Sequence, residues 1–184
     1  VSEQFQNQNR TFAWESLILY LLGDETILTL GISLDVESKP ISIWNFVSGV
    51  DFYRDHFSSE ATYSGNTSAE DRGTYANGAQ SQQLSLFSMH TLDLLKLKLS
   101  FGGRVQSFSQ SYDQKRDQRI VLIGNFSGMY PISDQYQLYF STNTGFRNPN
   151  IYDLTSLEPL PWGFAVPGDS LSGERSFTSE LGLR

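Results

Sequence analysis

The chain has no cysteine among its 184 residues. That absence excludes disulfides, cysteine-ligated zinc, iron–sulfur clusters and a thiol nucleophile. Only two histidines occur, His56 and His90, and with no third partner at ligand spacing they do not support a metal site. No cluster of lysines and arginines is present and the formal charge is -7, which disfavours nucleic-acid binding because phosphates need cationic partners. No apolar run approaches the roughly 20 residues of a membrane-spanning helix. Neither a G-x-S-x-G elbow nor a Gly-rich phosphate loop occurs, so hydrolase and nucleotide chemistry lack their usual carriers. The opening Val1-Ser2-Glu3-Gln4 has neither the basic nor the apolar region of a secretory leader, as expected of a mature or excised polypeptide. No cofactor is expected.

Aromatic residues are plentiful: 13 Phe, 9 Tyr and 3 Trp. Their coexistence with a mean hydropathy of -0.32 points to strands with one oily face and one wet face. The alternation is explicit in two places. Leu28, Leu30, Ile32, Leu34 and Val36 alternate with Thr29, Gly31, Ser33, Asp35 and Glu37, a period of two that no helix produces. Leu95, Leu97, Leu99 and Phe101 alternate in the same way with Lys96, Lys98, Ser100 and Gly102.

Reading between these anchors predicts about eight strands in an antiparallel up-and-down meander. Residues 1–10 read as a polar loop. Phe12 to Leu22 has apolar spacing that suits an amphipathic helix as well as a strand, and the surrounding strands favour the latter. Gly23-Asp24-Glu25 reads as a turn, and Ser38-Lys39-Pro40 as another. A strand follows from about Ile41 to Asp55, then Leu84 to His90, Leu95 to Arg104, Ile120 to Tyr130, a strand through Tyr136, Leu138 and Phe140, and a last one to Arg184. Short turns fall near 38, 92 and 132; long loops are expected at about 56–82, 107–118 and 144–173. Tight turns at one end and long loops at the other are the asymmetry of transmembrane β-barrels. Trp14, Tyr20, Trp44, Tyr53 and Tyr136 lie near strand ends, as interfacial aromatic girdles do. Alternation itself does not separate a membrane barrel from a soluble β-sandwich.

One stretch is more specific. Gly145-Phe146-Arg147-Asn148-Pro149-Asn150 is followed by Leu154, a loop, and then Glu174, Ser176, Glu180, Gly182 and Leu183. This order and separation closely resemble a late strand–loop–strand unit of TonB-dependent outer-membrane receptors. Leu99-Ser100-Phe101-Gly102-Gly103-Arg104 is similar to a strand of the same family, and the likeness covers roughly residues 28–184. The resemblance implies an outer-membrane protein of a Gram-negative-type bacterium. It implies active import of a scarce, bulky nutrient such as a ferric siderophore, cobalamin or a glycan, with outer-membrane lipid around the barrel. Energy would come from the TonB complex through a plug domain, which this stretch does not contain. The chain therefore reads as a single partial barrel domain, 1–184, supplying wall and outer recognition loops. It departs from a complete barrel in ending Gly182-Leu183-Arg184 rather than on an aromatic residue, and the family barrel has about 22 strands.

A small adhesin-like barrel and a soluble carbohydrate-binding sandwich are the rival classes. Candidate ligand contacts are the aromatics and arginines of the long loops: Tyr63, Arg72 and Tyr75 in one, Arg147, Tyr152, Trp162 and Phe164 in the other. Stacking and burial on such rings suit a bulky ligand. Arg147 also reads as a structural residue that bonds carbonyls or an acidic neighbour at the rim. His56 reads as a solvated loop histidine and His90 as an interfacial residue beside a turn. No catalytic set emerges.

Overall fold

The computed structural model describes the backbone of residues 2–12, 21–63, 73–160, 163–168 and 171–184, and side chains within 25–60, 73–157, 165–168 and 171–184. The strands are β1 (Ser2–Phe12), β2 (Leu21–Ile41), β3 (Trp44–Tyr63), β4 (Gln80–Leu94), β5 (Leu97–Tyr112), β6 (Lys115–Pro131) and β7 (Gln137–Arg147). One helical turn, α1 (Ile151–Thr155), and a small hairpin, β8 (Glu158–Leu160) with β9 (Gly163–Ala165), precede β10 (Glu174–Leu183). The eight long strands form one sheet in the order β1-β2-β3-β4-β5-β6-β7-β10, each antiparallel to its neighbour. The expected meander is therefore present, as part of a larger barrel wall.

The register sorts the side chains. Leu34, Val50, Leu86, Val105 and Leu122 are cross-strand neighbours, and so are Trp44, Leu92, Leu99, Gly128, Phe140 and Leu181. These rows share one face, here called outer. Ser33, Asp51, Ser85, Gln106 and Val121 form a row on the other, inner face.

Burial is inverted relative to a water-soluble protein. Leu34 is 66% exposed, Leu86 59% and Leu122 68%. Asp51, Ser59, Ser85 and Gln110, all on inner-face positions, are buried. Leu30, Leu97 and Phe140, outer-face residues of the three clearest strands, are nowhere buried. A sandwich would stack the aliphatic rows against a second sheet, but the only other sheet among the described residues is the short β8–β9 pair. Crowding on the inner side is what a curled sheet does to side chains on its concave face, while the convex face splays them outward.

Several sequence expectations change. Residues 1–10 are not a loop: Ser2–Phe12 pairs with Leu21–Gly31 of β2. Gly23-Asp24-Glu25 is not a turn but lies inside β2; residues 13–20 fall outside the described residues. The loop expected at 107–118 is a tight hairpin. β5 runs to Tyr112, β6 starts at Lys115, and Asp113 and Gln114 make the turn at φ of 44° and 64°. The other long connections shrink to 64–79 and 148–173 because β3 and β7 extend into them. The short turns at 42–43 and 95–96 sit a few residues beyond the expected points, and the one at 132–136 lies where expected. His56 belongs to β3, so it is a strand residue rather than a loop one.

Candidate functional site

The long-loop end is built from the β7–β10 corner. Pro149 has no N–H to offer a ladder, and Asn150 then starts α1. Its side chain accepts from the Asp153 N–H at 2.8 Å while the Asp153 carboxylate accepts from the Asn150 N–H at 3.0 Å. This reciprocal cap satisfies two donors that a helix start leaves open. Ile151 and Leu154, on one side of the turn, are buried. The Thr155 hydroxyl donates to the Ile151 carbonyl at 2.7 Å and accepts from the Ala76 N–H at 3.2 Å.

That last bond joins two loops. Ile151 packs on Ala76 and Ala79, with Phe57, Tyr75 and Tyr112 around them. The Leu157 N–H donates to the Thr74 carbonyl at 3.1 Å, and the Tyr75 N–H to the buried Ser59 hydroxyl at 3.1 Å. Gly78 takes φ +74°, a conformation glycine reaches without penalty, and its N–H donates to the Phe57 carbonyl at 2.9 Å. On the adjoining strand, Gln110 Nε2 donates to the Pro149 carbonyl at 2.8 Å and Asn148 Nδ2 to Gln110 Oε1 at 3.0 Å. The 73–79 and 148–157 segments thus fold together over the inner face.

Of the candidate contacts, the structure brings Tyr75 and Tyr152 together, ring centroids 6.1 Å apart and nearly perpendicular. Phe57 extends the cluster at 5.4 Å from Tyr75. Arg147 bridges Glu174, its cross-strand partner, at 3.0 Å and Asp153 at 3.1 Å. Its side chain is 58% exposed, so each pair is worth no more than about 1 kcal/mol, and its role is to fix the corner. Tyr63 closes β3 and Phe164 lies in β9, with side chains outside the described residues, as are Arg72 and Trp162 entirely. Among the described residues no group of His, Cys, Asp and Glu could hold a metal ion.

Two arrangements escape sequence reasoning. On the inner wall Arg104 Nη1 meets Asp51 Oδ2 at 3.0 Å, and the guanidinium carbon Cζ lies over the Phe87 ring, 4.7 Å from its centroid. The Asp51 side chain is only 12% exposed, so this pair is partly desolvated. Ser85, fully buried beside it, accepts from Gln83 at 3.2 Å. On the outer face His90 stacks on Phe101 at 5.1 Å and on Trp44 at 5.9 Å. Trp44 Nε1 donates to His90 Nδ1 at 3.2 Å, and since indole only donates, the other ring nitrogen carries the proton toward Ser88 at 2.9 Å. Ser88 meets Ser48 at 2.6 Å. His90, expected at the interface, instead lies four residues inside the Leu94 end of the apolar face, wired into an aromatic cluster.

An apolar outer face, an ion-paired inner face and two connections packed together at one end define a wall segment of a β-barrel. The family model described as TonB dependent receptor-like, beta-barrel, matches residues 3–184, and the chain belongs to that family, one of outer-membrane transport receptors. Among solved structures, the chain is similar to a protein titled Copper transporter OprC, with a TM-score of 0.73 at 17% identity over 89% of this chain and 28% of that one. It is also similar to a double mutant of the Serratia marcescens hemophore receptor HasR, in complex with its hemophore HasA and heme. There the TM-score is 0.65 at 15% identity, over 90% of this chain and 30% of that one. The chain thus spans less than a third of the length of either structure. No curated protein matches it. Several residues of the family-like run have visible structural work: Arg147 ties Glu174, Asn150 caps α1, and Gly182 makes room for the Tyr139 ring.

Proposed function

We propose that the chain supplies wall, lumen lining and outer loops of an outer-membrane receptor that imports a scarce nutrient with energy from TonB. The observation that carries this reading is the height of the apolar outer band. In β4 it runs from Leu94 to Leu84, ten residues apart, or about 34 Å along a strand. At the roughly 40° tilt of barrel strands that is about 26 Å of membrane normal, against an apolar belt of about 25 Å. Above it the same face turns polar, with Arg54, Gln82, Ser109 and Gln118 as neighbours and Arg54 donating to Gln80 at 2.9 Å.

The nutrient would meet the long-loop end, where Tyr63, Arg72, Tyr75, Tyr152, Trp162 and Phe164 offer rings and charge. Arg147 fixes the β7–β10 corner through Glu174 and Asp153. A metal chelate, siderophore-bound iron or heme, cobalamin or a glycan all suit such a surface, and the copper and heme named for the two similar structures favour a metal-bearing cargo. The test is growth of cells that depend on this receptor, each candidate cargo supplied in turn as the limiting nutrient, with and without TonB. Growth on one cargo, abolished without TonB, is expected. In the same cells Tyr75→Ala with Tyr152→Ala should weaken cargo capture at least ~10-fold at unchanged receptor level. Growth on none of the cargoes, or growth indifferent to TonB, would overturn the reading.

A further inference from the structure

The β4–β5 turn carries chemistry that a water-facing hairpin does not need. Its sequence is Asp93-Leu94-Leu95-Lys96-Leu97, without the Asn or Gly that tight hairpins ordinarily use for left-handed positions. Leu95 nonetheless takes φ +56° and its side chain is wholly exposed. The neighbouring short turns repeat the theme: Ile43 is 44% and Ile132 55% exposed. The Asp93 N–H donates to the Ile43 carbonyl at 2.8 Å, which ties two of these tips side by side. The tight turn at the opposite end of the sheet is the internal contrast. There Asp113 and Gln114 also adopt positive φ, but every residue at the tip is polar.

We infer that the short-turn rim lies in the headgroup boundary of the inner leaflet rather than in bulk water. Leu95 and Ile43 reach into the acyl region, and Lys96 meets the phosphates of anionic phospholipid. Three observations select lipid as the occupant. Leu94 and Leu97 close the apolar band, so Leu95 lies one residue beyond lipid-facing positions and is continuous with them. The leucines alternate with a cation suited to a phosphate-rich plane. A fully exposed leucine in a left-handed conformation gains little from water but gains apolar burial at that depth. The inference rests on the membrane reading above, and its test separates the two.

This chain has no cysteine, and with any cysteine elsewhere in the receptor replaced by serine, single positions can be labelled cleanly. Nitroxide would be placed at Leu95→Cys, Ile43→Cys, Leu86→Cys and Gln114→Cys in the complete receptor, reconstituted in phosphatidylcholine vesicles with or without phosphatidylglycerol. Accessibility to oxygen and to a water-soluble nickel chelate reads the depth. Leu86 should sit deep in hydrocarbon and Gln114 in water. Leu95 and Ile43 should report a shallow lipid position that deepens with phosphatidylglycerol, and Lys96→Gln should abolish that deepening. Ile43 repeats the reading without touching the strained residue. If positions 95 and 43 match 114 while 86 stays in lipid, the rim inference is overturned and the wall reading stands. If depth ignores phosphatidylglycerol, the phosphate contact of Lys96 is overturned. If 86 itself is in water, the membrane reading falls.

Discussion

The two faces of this one sheet are made by the same strands, residue by residue, yet they hold themselves together differently. The outer face has aliphatic rows that neighbour one another across strands and otherwise project outward; polar contacts within its apolar band are local, among Trp44, His90, Ser88 and Ser48, between Ser179 and Thr142, and from Thr144 to the Gly124 backbone. The inner face has an ion pair, a cation over a ring and buried hydroxyls. An aliphatic face left bare is tolerable where the solvent is hydrocarbon, and a paired, hydrogen-bonded face is what a hydrated bore permits. On the membrane reading proposed above, the sheet is a boundary between two solvents.

The largest expected effect tests that boundary directly. Leu86→Arg, in the middle of the outer band, should destabilise the receptor in a bilayer by about 2–4 kcal/mol. Ser33→Arg, an exposed inner position near Asp51, should stay within about 0.5 kcal/mol. Equilibrium unfolding in lipid vesicles measures both, and equal costs would erase the distinction between the faces. Next, Arg104→Ala strands the partly buried Asp51 carboxylate. A loss of about 1–2 kcal/mol is expected, less than for a dry interior because water reaches the bore. Asp51→Asn should recover part of it in a double-mutant cycle.

A similar loss, about 1–2 kcal/mol, is expected where the outer face is tightly packed. A methyl at Gly128 would collide with the Phe140 ring and meet Leu99 at 3.0 Å, whereas at Gly103 its nearest atom is the Ile123 carbonyl oxygen at 3.6 Å. Gly128→Ala should therefore shift the midpoint and Gly103→Ala should not, read by the same unfolding assay. The smallest effect lies above the boundary. Asn150→Ala removes the cap of α1 at about 1 kcal/mol and should speed amide exchange at Asp153 while the barrel midpoint stays fixed.

What the sequence makes legible follows the same boundary. On the same membrane reading, Leu28 to Glu37 and Leu95 to Phe101 alternate cleanly because within a bilayer one side of a strand must be oily and the other wet. Where strands rise above the apolar band both sides are wet and the alternation disappears. That is why Ser107–Tyr112 and the Gly23-Asp24-Glu25 segment read as loop or turn, although both lie within strands. The Gln- and Asn-rich Ser2–Phe12 strand pairs with this upper part of β2 and with the first alternating residues below it, down to Gly31. At the site, the cap was within reach as Asn150 and Asp153 three positions apart, and so was the pairing of Arg147 with an acidic neighbour. The meeting of Tyr75 with Tyr152, and of Asp51 with Arg104, depends on how loops lean and strands register, which no local pattern encodes.

The bond from Ala76 to Thr155, with that from Leu157 to Thr74 and the seat of Ile151 on Ala76 and Ala79, makes two distant stretches of chain a single unit. Gln110 pins the same unit from the strand beneath, and Arg147, bonded to both Asp153 and Glu174, fastens it to β7 and β10.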